Sequence, residues 1–363
     1  MVDDYFIDPD ISRAQTLPSS VYQQKEEWEK LRSLLFLPSW QWLGGAEWLN
    51  TAHNLKPTTF LPGYIDEPLL IVREDNSLSC VSNVCTHRGN ILIEESCQKS
   101  RIICGYHGRC FSLNGQLRSM PEFEEVVNFP STKDHLTHYF LSTWNGLHFV
   151  ALNPKLELTS ILKPIENHLK SFPFDLLSLI SSLSKTYRVK ANWLAYCDNY
   201  LEGFHIPYVH PTLNKTIQYE DYEVRTFDHC VVQIARSKPG EPSINLQESD
   251  PDFGQNIYAY YWFVYPNIML NFYHWGLSVN WVIPIGLDQT EVRFMTYKRN
   301  DIDDQSFLDT ALDATEMEDE NVVENVQKGL QSFAYNRGRY SVRREQGVHA
   351  FHRYLYEQVF REK

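Results

Sequence analysis

Cys85-Thr86-His87-Arg88-Gly89 and Cys104-Gly105-Tyr106-His107-Gly108 decide the fold of the first half of the chain; sixteen residues separate His87 from Cys104. The pattern C-x-H-x16-C-x-x-H offers two thiols and two imidazoles on two short loops. Around it the chain reads as β structure. Leu69-Leu70-Ile71-Val72, Ser79 to Val84 and Leu147 to Leu152 are short apolar runs bounded by Asp, Asn, Gly and Pro. Asp75-Asn76 and Asn114-Gly115 are turn signals, the second a strong hairpin signal. Residues 51–153 therefore read as a small all-β domain.

A Cys2His2 zinc site is one reading of those four ligands. The pairing of one Cys with one His in each loop favours another. In a Rieske [2Fe–2S] cluster two Cys hold one iron and two His the other, so each loop gives one ligand to each iron. Gly105 and Gly108 would let the backbone approach the sulfides closely.

A second constellation lies about a hundred residues downstream, in Asn192-Trp193-Leu194-Ala195-Tyr196-Cys197-Asp198-Asn199-Tyr200-Leu201-Glu202-Gly203-Phe204-His205-Ile206-Pro207-Tyr208-Val209-His210. As one helix, it would place Asp198, Leu201, Glu202 and His205 on a single face. Pro207 biases Ile206 away from helix, so a stop or kink there would turn His205 and His210 toward one point. Two imidazoles and a carboxylate make the facial triad of a non-haem Fe(II) site. On its own, H-x4-H is a weak signal.

Composition narrows the class. The 363 residues carry a formal net charge of -13, which argues against nucleic acid or an anionic membrane surface as partner. Hydrophobic residues at 43% and charged ones at 22% are ordinary for a globular chain. No run approaches the roughly 18 apolar residues of a membrane span, and Met1-Val2-Asp3-Asp4 opens no signal peptide. Seven cysteines, an odd number in a long chain, suggest a reducing cytoplasm. Cys80, Cys97, Cys110, Cys197 and Cys230 read as small buried hydrophobes, and His135, His138, His148 and His168 as structural.

Outside the motifs, Tyr22 to Phe36 has helical periodicity, with Trp28, Leu31, Leu34 and Leu35 on one side. Residues 1–50 thus form a helical entry segment, with Trp40, Trp42 and Trp48 packed. Residues 154–185, with three prolines, read as a connector. Val224 to Ile234 and Ile257 to Ile285 are rich in β-branched and aromatic residues and predict a substantial sheet. Thr310 to Phe333 reads as an acidic helix with Leu312, Met317, Val322, Val323, Val326 and Leu330 on one side, and an aromatic-rich helix closes the chain. No GxGxxG follows a strand.

The two motifs together, in this order, resemble the α (oxygenase) subunit of Rieske non-haem iron ring-hydroxylating oxygenases. The resemblance covers most of the chain. It implies an α+β architecture in which a Rieske [2Fe–2S] domain (51–153) is inserted between an N-terminal segment (1–50) packed on the catalytic domain and a helix-grip catalytic domain (154–363) with an antiparallel sheet. Cys85, His87, Cys104 and His107 would hold the cluster, and His205 and His210 a mononuclear Fe(II). The third iron ligand it implies is Asp319; from the residues alone, Asp319 is one acid among Glu316, Glu318, Glu320 and Glu324 on what could be a solvated face.

Family members place an Asp three residues before the first ligand His, where it bridges the iron-site His and a Rieske His of a neighbouring subunit. Here that place is Glu202, with Asp198 as the competing candidate. The resemblance further implies an O2-dependent monooxygenase, fed from NAD(P)H through a separate flavin and iron-sulfur reductase and assembled as a homotrimer. Wording such as Asp198-Asn199-Tyr200-x-Glu202-x-Phe204-His205 looks most like the choline, carnitine and betaine branch. The aromatic run Tyr258 to Trp275 could then supply a cage for a quaternary ammonium, or simply fill the core. An aromatic-ring or aromatic-acid oxygenase is the alternative, and a Rieske electron carrier without oxygenase activity a more remote one.

Overall fold

The computed structural model describes residues 4–49, 52–303 and 311–361, and side chains except those of 311–314. The chain divides into two compact units: residues 37–155, and residues 1–36 with 156–363. The β unit is thus an insertion within the other, as expected, but it begins at residue 37 rather than 51. The reason is β1 (Gln41–Gly44), which pairs antiparallel with β9 (Leu147–Ala151) and sets Trp42 opposite Phe149, their rings edge to face at 5.3 Å. Trp40, Trp42 and Trp48 are buried there.

The inserted unit holds a six-stranded sheet in the order β1-β9-β8-β4-β3-β2, with β2 Leu55–Phe60, β3 Glu67–Glu74, β4 Ser77–Ser82 and β8 His138–Trp144. A small sheet of β5 (Ile102–Ile103), β6 (Cys110–Phe111) and β7 (Leu117–Ser119) carries the second motif loop. Both expected turns are present: Asp75 takes a φ of 53° between β3 and β4, and Gly115 a φ of 76° between β6 and β7. The core of Leu55, Leu70, Val72, Val81, Ile102 and Phe111 takes in Cys85 and Cys104 as members.

In the larger unit the entry helix α1 (Lys25–Leu31) passes into a π-turn over Arg32–Phe36. That turn rotates the stripe: Leu31, Leu35 and Phe36 are buried, whereas Leu34 is 44% exposed. The segment after the insertion contains α2 (Leu158–His168). An antiparallel sheet follows in the order β10-β17-β16-β15-β14-β13-β12, with β11 also paired to β17. Its strands are β10 Leu177–Leu179, β11 Lys185–Val189, β12 Glu223–Thr226, β13 Cys230–Arg236, β14 Ile257–Val264, β15 Ile268–Tyr273, β16 Gly276–Gly286 and β17 Gln289–Arg299.

Alternation along β14 sorts the aromatic run. Tyr260 and Trp262 meet His168 of α2 at ring distances of 6.4 and 5.2 Å on one face. Tyr261 and Phe263 point to the other face, where α3 (Trp193–Tyr200) and a C-terminal helix lie; Phe263 meets Tyr200 and Phe351. Helices therefore cover both faces. Short helices α4 (Ile206–Val209) and α5 (Pro211–Thr216) follow α3, and α6 (Ala311–Leu330) and α7 (Gln346–Leu355) complete the unit.

The inward side of α6 differs from the expected apolar stripe. Val323 and Leu330 are buried, but so are Glu316 and Gln327, while Met317 and Val326 are 61% and 46% exposed. Thr310 and Leu312 fall outside what is described. Polar groups can face inward here because α3 supplies partners: Tyr196 donates to Glu316, Asn199 to Asp319, and the backbone N–H of Asn192 to Gln327.

Candidate functional site

The two motif loops of the inserted unit close in the same way. The N–H of Cys85 donates to Asn90 O and that of Gly89 to Cys85 O; the N–H of Cys104 donates to Arg109 O and that of Gly108 to Cys104 O. Gly89 and Gly108 take φ of 73° and 72°, a region that favours glycine. The paired glycines are therefore Gly89 and Gly108; Gly105 has no such φ. Cys85 and Cys104 lie buried, His87 is half-buried and His107 exposed, with the imidazole rings 4.9 Å apart. Two buried thiols and two outer imidazoles fit a Rieske [2Fe–2S] cluster, in which Cys85 and Cys104 would hold one iron and His87 and His107 the other.

Arg109, 2% exposed, anchors both loops. It pairs with Asp134 at 2.7 Å, and the backbone oxygen of Asp134 accepts from Thr86.

In the larger unit, α3 stops at Tyr200, five residues earlier than a helix reaching His205 would. Its N-terminus is capped by Asn192, whose side chain accepts from Leu194 N–H. A turn over Leu201–His205 follows, in which Gly203 packs against the Tyr222 ring so closely that a Cβ there would lie 2.6 Å from it. Pro207 sits in the first turn of α4, where a missing N–H costs nothing, so it starts a helix rather than ending one.

This turn brings His205 and His210 together. Their Nε2 atoms are 3.1 Å apart, and Asp319 Oδ1 of α6 lies 3.0 Å from His210 Nε2 and 3.5 Å from His205 Nε2. The far nitrogens are each held by a carboxylate: His205 Nδ1 by Glu202 at 2.6 Å, and His210 Nδ1 by Glu318 at 2.7 Å. Each ring therefore carries its proton on Nδ1 and turns an Nε2 lone pair inward.

Two lone pairs facing each other at that distance repel unless a cation lies between them. Donors about 2.1 Å from one ion and at right angles would stand about 3 Å apart, close to the spacing found. His205, His210 and Asp319 thus fit a facial set for one divalent ion, with its other positions open. Burial works against a charged His210, yet Asp319 and Glu318 raise its pKa above the usual imidazole value.

Asp198 does not reach this group. Its carboxylate accepts from Tyr22 at 2.7 Å and meets His352 Nε2 of α7 at 2.9 Å. Because the helix ends at Tyr200, Asp198 and Glu202 do not share a face. Burial first, and Asp198 second, push the Tyr22 phenol well up, so it remains a donor. Glu318 reads from the chain only as one acid among several and Asn199 only as helix polarity near the site, and nothing local marks His352.

A cavity of about 200 Å³ opens beside His205, His210 and Asp319. One rung of the sheet, Gln233-Tyr261-Asn271-Ser278-Thr296, runs across its floor, and four of these five line it. Of the aromatic run, Tyr258, Tyr261 and Tyr273 reach the cavity. Tyr222 and Phe294 join them, while Trp275 stacks behind Tyr273 at 4.9 Å.

Comparison with known proteins decides the family. The Rieske [2Fe-2S] domain matches residues 47–130 and the ring-hydroxylating alpha subunit catalytic domain residues 177–360. The chain is a Rieske non-haem iron oxygenase. It is 30% identical to the chloroplastic choline monooxygenase of Arabidopsis thaliana, over 96% of this chain and 84% of that protein. The carnitine monooxygenase oxygenase subunit of Escherichia coli K12 is 29% identical over 96% and 95%.

In fold the oxygenase is similar to a quaternary ammonium Rieske monooxygenase solved with L-carnitine, at 21% identity, a TM-score of 0.76 and 97% coverage of each chain. It is also similar to a Rhodococcus naphthalene 1,2-dioxygenase solved with indole, at 16% identity, a TM-score of 0.74 and coverage of 96% and 95%. The oxygenase therefore uses a Rieske cluster, a mononuclear iron, O2 and a small-molecule substrate. No helix among its described residues is long and apolar enough to cross a membrane.

Proposed function

We propose that the oxygenase hydroxylates a small quaternary ammonium compound, with His205, His210 and Asp319 holding the iron and Cys85, His87, Cys104 and His107 the cluster. The observation that carries this reading is the cavity wall: Tyr222, Tyr258, Tyr261 and Tyr273 border the space beside the two histidines. Tyrosine faces attract an alkylammonium by cation–π contact, by about 2 kcal/mol when desolvated. The phenols stay neutral; burial pushes those of Tyr261 and Tyr273 far above their ordinary range. The names of the choline and carnitine relatives support the same reading.

When bound, the iron activates dioxygen and the cluster delivers electrons. The chain's own residues do the rest. Glu202 and Glu318 set the tautomers of the two histidines. Asn199 donates to Asp319 Oδ1 at 2.7 Å and orients it. The tyrosines hold the substrate's C–H bonds in place and exclude water.

We further assign Glu202 as the bridge to a cluster imidazole of a neighbouring chain in a homotrimer. Exposed Phe204 and Tyr208 beside the iron loop, and Tyr106 beside the cluster loop, support a partner surface at each. A separate NAD(P)H-dependent reductase supplies the electrons, and a reducing, cytoplasmic setting suits seven unbridged thiols.

The test is a single turnover of chemically reduced holoenzyme with O2 and a panel of choline, carnitine, betaines and aromatic acids. An oxidised amine or released formaldehyde is the expected product. A hydroxylated aromatic ring would replace the reading with the ring-oxygenase alternative.

A further inference from the structure

The quaternary ammonium reading leaves open whether the substrate also bears a carboxylate, as carnitine and glycine betaine do and choline does not. Three carboxylates line the cavity, Glu202, Glu316 and Asp319, and no lysine or arginine does among the described residues. Nor does the chain contain a lysine or arginine anywhere from 304 to 314. Two of the three acids are committed to the histidine cluster. The third, Glu316, lies one α6 turn before Asp319, is 6% exposed and borders the cavity. The Tyr196 hydroxyl donates to its two oxygens at 2.8 and 2.9 Å.

Resting on that reading, we infer that Glu316 is a specificity-determining anion for the substrate's ammonium group and that the cavity takes a quaternary ammonium alcohol in preference to a carboxylated betaine. The physical reason is desolvation. A substrate carboxylate would leave water for a space walled by acids and neutral phenols, where no lysine or arginine pairs it and the charge of a bound iron is already offset by Asp319, Glu202 and Glu318. An ammonium there is attracted by Glu316 and the tyrosine faces together. An alcohol finds neutral partners in the floor, where Asn271, Ser278 and Asn280 already hydrogen-bond one another.

The experiment is anaerobic calorimetric titration of the holoenzyme with choline, its uncharged isostere 3,3-dimethylbutan-1-ol, glycine betaine, carnitine and benzoate. Wild type should bind choline at least about tenfold tighter than both the isostere and glycine betaine. Glu316→Gln should bring the choline-to-isostere ratio toward one while the isostere's own affinity holds. A ratio unchanged in Glu316→Gln, or carnitine or glycine betaine binding as tightly as choline, overturns this inference and leaves the quaternary ammonium reading standing. Benzoate binding with no ammonium binding overturns both. Should Glu316→Gln not fold, the wild-type series decides alone.

Discussion

The two proposed metal sites are built on opposite plans. The cluster site is two copies of one local device: a Cys, an imidazole two or three residues on, and a glycine at positive φ four residues after the Cys, with identical backbone closures. The iron site is assembled from distance. His205 and His210 come from one turn, but Asp319 lies more than a hundred residues away on α6, with Glu318 beside it on the same helix. A local device depends mainly on its own loops; a distant one depends on every contact that places α6 against α3.

Substitutions can break that comparison at either end. The largest effects should come from the ligands. Cys104→Ser should abolish the cluster's visible absorption while mononuclear iron remains, and Asp319→Ala should do the reverse; both should reduce turnover to background. Loss of both metals from either variant would refute the independence of the two sites.

Removing Asp134 leaves buried Arg109 without its carboxylate, so Asp134→Ala should destabilise the inserted unit by about 3 kcal/mol, read as a lower melting temperature and faster cluster loss. Glu202→Gln should slow turnover about 10- to 100-fold with both metals retained; unchanged electron transfer from the reduced cluster would remove Glu202 from the bridging role.

Glu318→Gln should weaken Fe(II) binding to the apo-protein about tenfold. The sign of its pH dependence follows from His210. Iron needs the neutral ring, and a raised pKa keeps the proton on to higher pH. As pH is lowered, the wild-type Fe(II) affinity should therefore begin to fall at a pH above the ordinary imidazole value of about 6.5, and Glu318→Gln, though weaker at every pH, should move that break in log affinity down. The smallest effect should be that of Asp198→Asn, which loosens the Tyr22 and His352 contacts: about 1–2 kcal/mol of thermal stability, with iron content intact.

Much of the architecture was legible. The all-β unit and both of its hairpin turns follow from apolar runs and turn chemistry, and a sheet in the second half from its β-branched and aromatic residues; the insertion and the antiparallel order are what the family resemblance implied. The misreadings share one cause. Residues 37–50 look like the tail of a helical segment until β9 is there to pair with β1. The stripe on α6 looks apolar until Tyr196, Asn199 and Asn192 are there to satisfy inward-facing acids and amides. Asp198 looks like a site residue until His352 and Tyr22 claim it.

Residue type and short spacing were enough to recognise the thiol and imidazole loops and the aromatic run, because such signals involve neighbours in the chain; the His205 and His210 pair gained weight only beside the first motif. Which acids of α6 meet His210, which of Asp198 and Glu202 meets His205, and which tyrosines face the cavity rather than the core were settled only by packing. Those choices turn on where a helix stops and which side chains meet across a sheet, and the free energy that selects them comes from partners far away in sequence.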